Sequence, residues 1–291
     1  IMTQQTVIID GKQIADNIAN QVVDQVVELK DLYGITPKLC IFQVGDNLAS
    51  NLYIANKIKK AKSLHMEANL KKFDNNITEN ALITDIARIN NDQSYHGIIV
   101  QLPLPNHINA DNICQAVEPR KDVDGLHPIN MGYLLRNEQR GFVPCTALGC
   151  LHLLKHYVDN IASKNIVIIG RSNIVGRPLS ALLSNENATV TLCHSYSKDI
   201  RKHTLAADIV IIAIGNPNFF DHTYFSTTAV VIDVGINRVG DSFMGDANFK
   251  DVNGAISMIT PVPGGVGPMT VIYLMSNLVK AAKSLTSYIS N

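Results

Sequence analysis

Apolar residues along the chain follow two patterns that alternate over most of its length. Short apolar runs rich in β-branched side chains predict buried strands, and apolar residues at every third or fourth position predict helices with one buried face. The predicted strands cover residues 6–9, 39–44, 66–73, 97–100, 166–169, 188–193, 208–214 and 229–234. The predicted helices cover residues 13–32, 47–65, 78–90, 148–157 and 270–285, with further helices beginning near Ile174 and at Asp199. Regular alternation of this kind is typical of βαβ units and parallel sheets.

The stretch NIVIIGRSNIVGRPLSALL, residues 165–183, combines a predicted strand, a glycine turn and a helix start. Gly170 ends the apolar run, and Pro178 is compatible with the helix only within its first turn. Such a turn lets the backbone approach a pyrophosphate, and the free N–H groups of the helix face it. The spacing differs from Gly-x-Gly-x-x-Gly, because Ser172 and Val175 stand at the later glycine positions. The stretch therefore indicates a nucleotide phosphate site, with a ligand-free strand-to-helix turn as the alternative.

The charge balance and the cysteines limit the classes of function. The 291 residues include 25 Lys and Arg and 25 Asp and Glu, which gives no net charge and no basic surface for nucleic acid. We find no apolar segment long enough to span a bilayer and no secretory leader, so no membrane partner is expected. The five cysteines form no C-x-x-C pair, which is typical of reduced thiols in a cytoplasmic protein.

The regular pattern weakens between Pro103 and Pro144 and resumes after Cys145. This predicts an α/β fold with two lobes around a cleft, the second lobe being a Rossmann-like parallel sheet. We expect the first domain at residues 1–146, completed by a C-terminal helix at 270–291. The second domain is expected at residues 147–269.

Tyr53 and Lys57 lie four residues apart on a predicted helix and therefore share one face. A phenol beside an amine is suited to proton transfer. Gln101 follows a predicted strand end, where open α/β sheets present their ligand groups, and it is able to orient a neighbouring amine. The alternatives are a solvated basic helix face with one core tyrosine, and a glutamine that merely caps its strand.

Asp122 and Asp124 flank one apolar residue in the polar segment PRKDVDGLHP, residues 119–128. Paired carboxylates are able to bind a metal, but no third ligand has suitable spacing, so we expect no metal. An amino-heterocycle or an organic cation is the favoured ligand. His152 and His156 also lie four apart on a predicted helix, but the glutamate of an HExxH zinc motif is missing.

The choice of nucleotide depends on the loop after the second strand of the nucleotide unit. An NAD site usually has an acid there, on the ribose 2′-hydroxyl. The loop reads Cys-His-Ser-Tyr-Ser from Cys193, and no acid precedes Asp199. Arg171 in the first turn is placed to meet a 2′-phosphate instead, which favours NADP.

Five long motifs together resemble the bifunctional methylenetetrahydrofolate dehydrogenase/methenyltetrahydrofolate cyclohydrolase family. The motifs are SNLYIANK at 50–57, VQLPLP at 100–105, KDVDGLHP at 121–128, GRSNIVGRP at 170–178 and TPVPGGVGPMT at 260–270. They stand in the order of the family, and the match runs from about Ile9 to the final helix. The resemblance implies oxidation of methylenetetrahydrofolate by NADP, followed by hydrolysis of the methenyl product to formyltetrahydrofolate in the same cleft. It also implies a homodimer.

The resemblance assigns a catalytic and substrate-binding set of four residues. Lys57 is the implied general acid/base, Tyr53 contacts the folate ring, Gln101 holds the lysine and Asp124 anchors the pterin. Residues 1–146 are then the folate-binding catalytic domain, and residues 147–269 bind NADP. The residues implied to hold the cofactor are Gly170, Arg171, Ser172, Ser195 and Ile236. The residues implied to line the folate side are Pro263, Gly264 and Gly265.

The sequence departs from the family pattern at three loops. Ala147 replaces a usual proline, Asp246-Ala247-Asn248 replaces Asp-Val-Asp after Gly245, and Ser197 stands where threonine is common. None of these is an implied catalytic group. The alternatives that remain are a monofunctional dehydrogenase, an amino-acid dehydrogenase with two α/β lobes, and a cofactor-binding regulatory relative without turnover.

Overall fold

The computed structural model describes residues 5–287 of the chain. The strands in this range are β1 (Val7–Ile8), β2 (Lys38–Val44), β3 (Glu67–Phe73), β4 (Gly97–Val100), β5 (Asn165–Ile169), β6 (Thr189–Cys193), β7 (Ile209–Ile212), β8 (Val230–Asp233), β9 (Asn237–Val239), β10 (Ser242–Met244) and β11 (Met258–Ile259). The helices are α1 (Gly11–Tyr33), α2 (Leu48–Ser63), α3 (Glu79–Asn91), α4 (Ala110–Ala116), α5 (Pro128–Leu135), α6 (Cys145–Tyr157), α7 (Gly176–Asn185), α8 (Ile200–Leu205), α9 (Phe249–Val252) and α10 (Val266–Ser287).

The described residues divide into two compact units. The six-stranded unit contains residues 5–16 and 144–270, and the three-stranded unit contains residues 17–143 and 271–287. Each is named after its main sheet.

The six-stranded unit is built on a parallel sheet with strand order β1-β11-β8-β7-β5-β6. The strands β5, β7 and β8 are almost wholly buried and are apolar except at Asn165 and Asp233, because helices cover both faces of such a sheet. Ile166 of β5 is in register with Val190 of β6 and Ile209 of β7. The carboxyl ends of these strands therefore lie along one edge, which is where the glycine turn begins.

The three-stranded unit has a parallel sheet with order β3-β2-β4. Its central strand β2 is buried from Leu39 to Val44, and Phe42 packs in the core with Leu82, Ile86 and Ile98. The carboxyl ends of β2 and β4 again lie at one edge. The residues that follow them, up to the start of α2 and at Gln101, are therefore placed side by side.

The predicted α/β class, with two lobes and a parallel sheet in the second, is confirmed. The assignment of the first strand differs from the sequence prediction. β1 pairs with β11, with Val7 opposite Met258, and so belongs to the six-stranded sheet. Residues 1–4 of the expected first domain and 288–291 of the expected C-terminal helix lie outside the described residues.

Several elements were not predicted, or begin elsewhere than predicted. The helices α4 and α5 lie in the region where the pattern weakens, and both are too short to show a helical period. The helix α10 begins at Val266 rather than at residue 270. Pro268 does not prevent this earlier start, because it lies in the first turn of the helix, where proline is tolerated. Pro178 likewise lies in the first turn of α7, as predicted.

None of the helices in residues 5–287 combines the length and the apolar character that crossing a membrane requires.

Candidate active site

Lys57 and Gln101 form the best-defined polar contact among the predicted site residues. Gln101 directly follows β4, and its backbone N–H donates to Phe42 of the neighbouring strand β2. The Lys57 Nζ donates to Gln101 Oε1 at 3.0 Å. The Gln101 Nε2 donates in turn to the Leu102 carbonyl at 2.9 Å. Because both ends of the amide are engaged, its oxygen is directed at the amine.

The helix α2 presents Lys57 and Tyr53 one turn apart. Asn47 caps this helix by accepting from the Ser50 N–H. Tyr53 is half-buried, and this burial raises the pKa of its phenol above the ordinary value. A phenol keeps its proton near neutral pH, and burial reinforces this, so the hydroxyl is available as a donor.

A series of hydrogen-bonded polar side chains, not predicted from the sequence, fixes the start of α2. The Gln43 Nε2 donates to Asn51 Oδ1 at 2.7 Å, and the Asn51 Nδ2 donates to Asp46 Oδ1 at 2.8 Å. Gln43 is almost completely buried at the end of β2. The signal in the sequence was Asn51 itself, which lies inside the motif at 50–57 two residues before Tyr53.

Asp122 and Asp124 have different environments, so they are not a pair of equivalent ligands. The buried Asp122 carboxylate accepts from the His127 N–H and the Asn130 Nδ2, both at 2.8 Å, and from the Leu126 N–H at 3.2 Å. Burial raises the pKa of Asp122. Asp124 is only half-buried. Asp122 therefore holds the loop, and Asp124 is the carboxylate left for a ligand.

The glycine turn after β5 has the close backbone approach that a phosphate site needs. Gly170 has φ +114°, and a Cβ on it would lie 2.2 Å from the Ala213 carbonyl oxygen. A Cβ on Gly176, the first residue of α7, would lie 1.8 Å from the Gly170 carbonyl oxygen. Ser172 Oγ accepts from the Val175 N–H at 3.1 Å and holds the turn. The turn brings the N-terminus of α7 against the end of β5.

The exposed cation predicted for a 2′-phosphate lies beside the loop after β6. The Arg171 guanidinium is 5.8 Å from the ring centre of Tyr196, which directly follows Ser195. Asp199 accepts from the Lys202 N–H and caps α8, so its carboxylate is engaged in the fold. The glycine turn and this loop thus offer a cation, Arg171, and a serine, Ser195, rather than a free acid. A dinucleotide with a 2′-phosphate fits these residues.

Ile236 lies beside the start of α10, which directly follows the glycine-proline loop (residues 260–265), within the six-stranded unit. Ile236 is exposed, and its Cδ1 would lie 3.4 Å from a Cβ on Gly267. In the same loop Pro263 is exposed and Gly264 has φ +105°. Gly265 is buried. The structure thus places these predicted residues in the six-stranded unit, whereas Tyr53, Lys57, Gln101 and Asp124 belong to the three-stranded unit.

A buried carboxylate at the end of β8 was also missed from the sequence. Asp233 accepts from the N–H groups of Ala247 at 2.8 Å and of Gly235 and Asp246 at 3.0 Å. Burial raises the pKa of Asp233 to about 7, and the nearby Asp246 carboxylate raises it as well, against the lowering effect of the three N–H groups. The departures at 247 and 248 leave this contact intact, because Ala247 contributes its backbone.

Comparison with known proteins agrees with this geometry. Residues 9–124 match the family model of the tetrahydrofolate dehydrogenase/cyclohydrolase catalytic domain, and residues 144–286 match that of the NAD(P)-binding domain. The bifunctional protein FolD of Rickettsia bellii is 50% identical over 277 residues, which cover 95% of this chain and 98% of the relative.

Solved structures give the same result. The bifunctional FolD methylenetetrahydrofolate dehydrogenase/cyclohydrolase of Campylobacter jejuni has a TM-score of 0.93 and 43% identity, covering 96% of this chain and 99% of the other. The FolD enzyme of Trypanosoma brucei, solved with NADP and an inhibitor, has a TM-score of 0.92 and 36% identity, covering 96% and 98% of the two chains. The chain belongs to the tetrahydrofolate dehydrogenase/cyclohydrolase family.

Proposed function

We propose that the chain catalyses two consecutive steps of one-carbon metabolism. The first is the NADP-dependent oxidation of 5,10-methylenetetrahydrofolate to 5,10-methenyltetrahydrofolate. The second is the hydrolysis of that product to 10-formyltetrahydrofolate. The observation that carries the proposal is the Lys57–Gln101 hydrogen bond, which holds an amine at the edge of the sheet next to Tyr53.

In the oxidation step, the task of the protein is orientation. When bound, NADP would supply the hydride acceptor for the methylene carbon. Gly170, Ser172 and the N-terminus of α7 would bind its pyrophosphate, and Arg171 and Ser195 would bind its adenosine phosphate. Ile236 would contact the nicotinamide half. The loss of a hydride leaves a cationic methenyl group on the folate and requires no proton transfer.

In the hydrolysis step, Lys57 works as acid and base. A water molecule adds to the methenyl carbon, and Lys57 takes a proton from it. The bond from that carbon to N5 then breaks, as the remaining hydroxyl proton is released to solvent and the hydroxyl becomes the formyl carbonyl. Lys57 returns the first proton to N5, which leaves the formyl group on N10. Gln101 Oε1 keeps the Nζ in place throughout, because its own amide is anchored on Leu102.

Asp124 and Tyr53 hold the folate on the three-stranded unit. A carboxylate is able to accept two parallel hydrogen bonds from the N–H groups of an aminopyrimidinone ring. Asp124 is the proposed acceptor, because the neighbouring Asp122 is already engaged by His127 and Asn130. Tyr53 contacts the folate ring from α2. On the six-stranded unit, Pro263, Gly264 and Gly265 are the proposed folate-side residues.

The test of this function is a pair of assays on one preparation. We expect the purified chain to form NADPH from 5,10-methylenetetrahydrofolate, and to remove the absorbance of added 5,10-methenyltetrahydrofolate in the absence of NADP. NADPH formation without hydrolysis would identify a monofunctional dehydrogenase. Neither activity, with NADP still bound, would identify a regulatory relative.

Arg171 is expected to determine the preference for NADP over NAD. Arg171→Ala removes a charge-assisted bond to the 2′-phosphate, which is worth about 1.5–3 kcal/mol. The KM for NADP should therefore rise by roughly ten- to a hundredfold, and the KM for NAD should change much less. Steady-state kinetics with both nucleotides measure this, and NAD is the internal control. Equal effects on both would mean that Arg171 is structural.

A second copy of the chain is the proposed partner. The strand β6 is an edge of the six-stranded sheet, and its residues are mostly exposed or half-buried. Edge strands carry unpaired backbone groups that a symmetric copy is able to cover. We expect light scattering to give twice the mass of one chain. A single-chain mass at every concentration tested would contradict the homodimer.

The cysteines support a cytoplasmic location. All five cysteines lie in the described range, where none of them forms a disulfide, and four of them are buried. Burial raises the pKa of the Cys40 and Cys150 thiols to about 12, which disfavours the reactive thiolate. Free thiols of this kind are typical of a reducing compartment. Recovery of the chain outside the cytoplasm in cell fractionation would contradict this location.

A further inference from the structure

One buried carboxylate ties together the loops that follow β7 and β8. Asp246 is completely buried, and its Oδ2 accepts from the backbone N–H groups of Ile214 at 2.7 Å and Gly215 at 3.0 Å. Its Oδ1 accepts from the Asn216 N–H at 2.9 Å and from the Asn237 Nδ2 at 2.8 Å. Two hydrogen bonds at each oxygen fill the acceptor capacity of the carboxylate.

This arrangement fixes the course of both loops. Three successive backbone N–H groups converge on one carboxylate, and Gly215 permits this because it adopts φ +69°. The second loop is held equally closely, because a Cβ on Gly235 would lie only 2.3 Å from Asp246 Oδ1. Ile236 lies between this glycine and the Asn237 that donates to Asp246. Both loops thus take their position from one side chain.

The strand order shows which part of the cofactor these loops face. In a parallel sheet of this kind the ligand lies outside the carboxyl ends of the strands. The order β8-β7-β5-β6 places the glycine turn of β5 in the middle and the Arg171 and Ser195 side at β6. The loops after β7 and β8 lie on the opposite side of the turn. The loops after β7 and β8 therefore face the half of the dinucleotide that carries the nicotinamide.

We propose that Asp246 is a positioning residue for hydride transfer, which sets the loops at 214–216 and 235–237 against the nicotinamide half of NADP. This inference rests on the proposed function. Asp246 does not itself touch the reacting atoms. It acts through the backbone of the two loops and through Ile236.

The test is Asp246→Asn, with Asp241→Asn as the matched control. In Asp246→Asn an NH2 group would replace one carboxylate oxygen. This NH2 group would face N–H donors of the loops, and the repulsion between donors would displace one of the loops. Asp241 undergoes the same chemical change on the turn between β9 and β10, where its side chain is fully exposed. We expect kcat for NADPH formation to fall by about tenfold or more in Asp246→Asn and to remain unchanged in the control.

Two further measurements distinguish positioning from general damage to the unit. Adenosine 2′,5′-bisphosphate carries the adenosine and 2′-phosphate of NADP but no nicotinamide. Its Kd, measured by calorimetry, should stay within about twofold of the wild-type value, as should hydrolysis measured without NADP. A weaker affinity for this fragment that parallels the loss of kcat would show that Asp246 is only structural. An unchanged kcat would overturn the proposal as well.

A milder variant covers the case in which Asp246→Asn does not fold. Asn237→Ala removes one of the four hydrogen-bond donors to Asp246. Unlike Asp246→Asn, it does not bring two donor groups face to face. We expect a smaller fall in kcat, again with the Kd for adenosine 2′,5′-bisphosphate unchanged. An unchanged kcat in this variant would then overturn the proposal. If wild type and the Asp241→Asn control both fail to form NADPH, the proposed function itself is wrong.

Discussion

Replacing Lys57 with methionine is expected to abolish the hydrolysis of 5,10-methenyltetrahydrofolate. Methionine retains the apolar stem of the side chain but exchanges no proton, and general acid–base catalysis contributes about a hundredfold or more. NADPH formation should fall too, because the amine also helps to set the position of the folate. The affinity for NADP should be unchanged, since the glycine turn belongs to the other unit. The two-assay measurement and a binding isotherm report all three quantities.

Two further variants of the same helix make this result specific. Lys59→Met introduces the same change at an exposed position of α2 and should leave both activities intact. Lys57→Arg should not restore hydrolysis, because a guanidinium stays protonated and cannot act as a base. Normal hydrolysis in Lys57→Met would place the acid/base role elsewhere, with Asp124 as the next candidate.

Replacing Gly176 with alanine is expected to remove dehydrogenase activity while sparing hydrolysis. The added Cβ would lie 1.8 Å from the oxygen and 2.7 Å from the carbon of the Gly170 carbonyl. Both atoms are backbone, so either the turn or the start of α7 must move. A shift of this size in the phosphate site should lower kcat/KM for NADPH formation by about a hundredfold or more. Overpacking should also lower the melting temperature of the protein.

The control for this variant is Gly132→Ala in α5. A Cβ at this position meets nothing within 4 Å, and alanine is the better helix former, so no loss of activity is expected. Hydrolysis measured without NADP shows whether Gly176→Ala still has a folded three-stranded unit. Wild-type affinity for NADP in Gly176→Ala would mean that the turn does not bind the pyrophosphate.

The sequence alone determined most of the regular structure and the family. The apolar run at 97–100 became β4 without change, and the run at 166–169 lies within β5. Such runs are informative because a strand buried on both faces must be apolar at every position. The five motifs indicated the enzyme family because they place chemically demanding residues in one order along the chain.

Only the tertiary structure decided which polar residues hold the site and which remain for a ligand. Asp122 and Asp124 look equivalent in sequence, but the Asn130 amide and two backbone N–H groups engage the first. In the sequence, Asp246 is an ordinary acidic residue in a predicted loop. In the structure it accepts a hydrogen bond from the backbone N–H of Ile214, thirty-two residues earlier. The partner of β1 lies at Met258, near the other end of the chain. Hydrophobic periodicity is a local property, whereas burial of a charge and its hydrogen-bond partners depend on residues that only folding brings together.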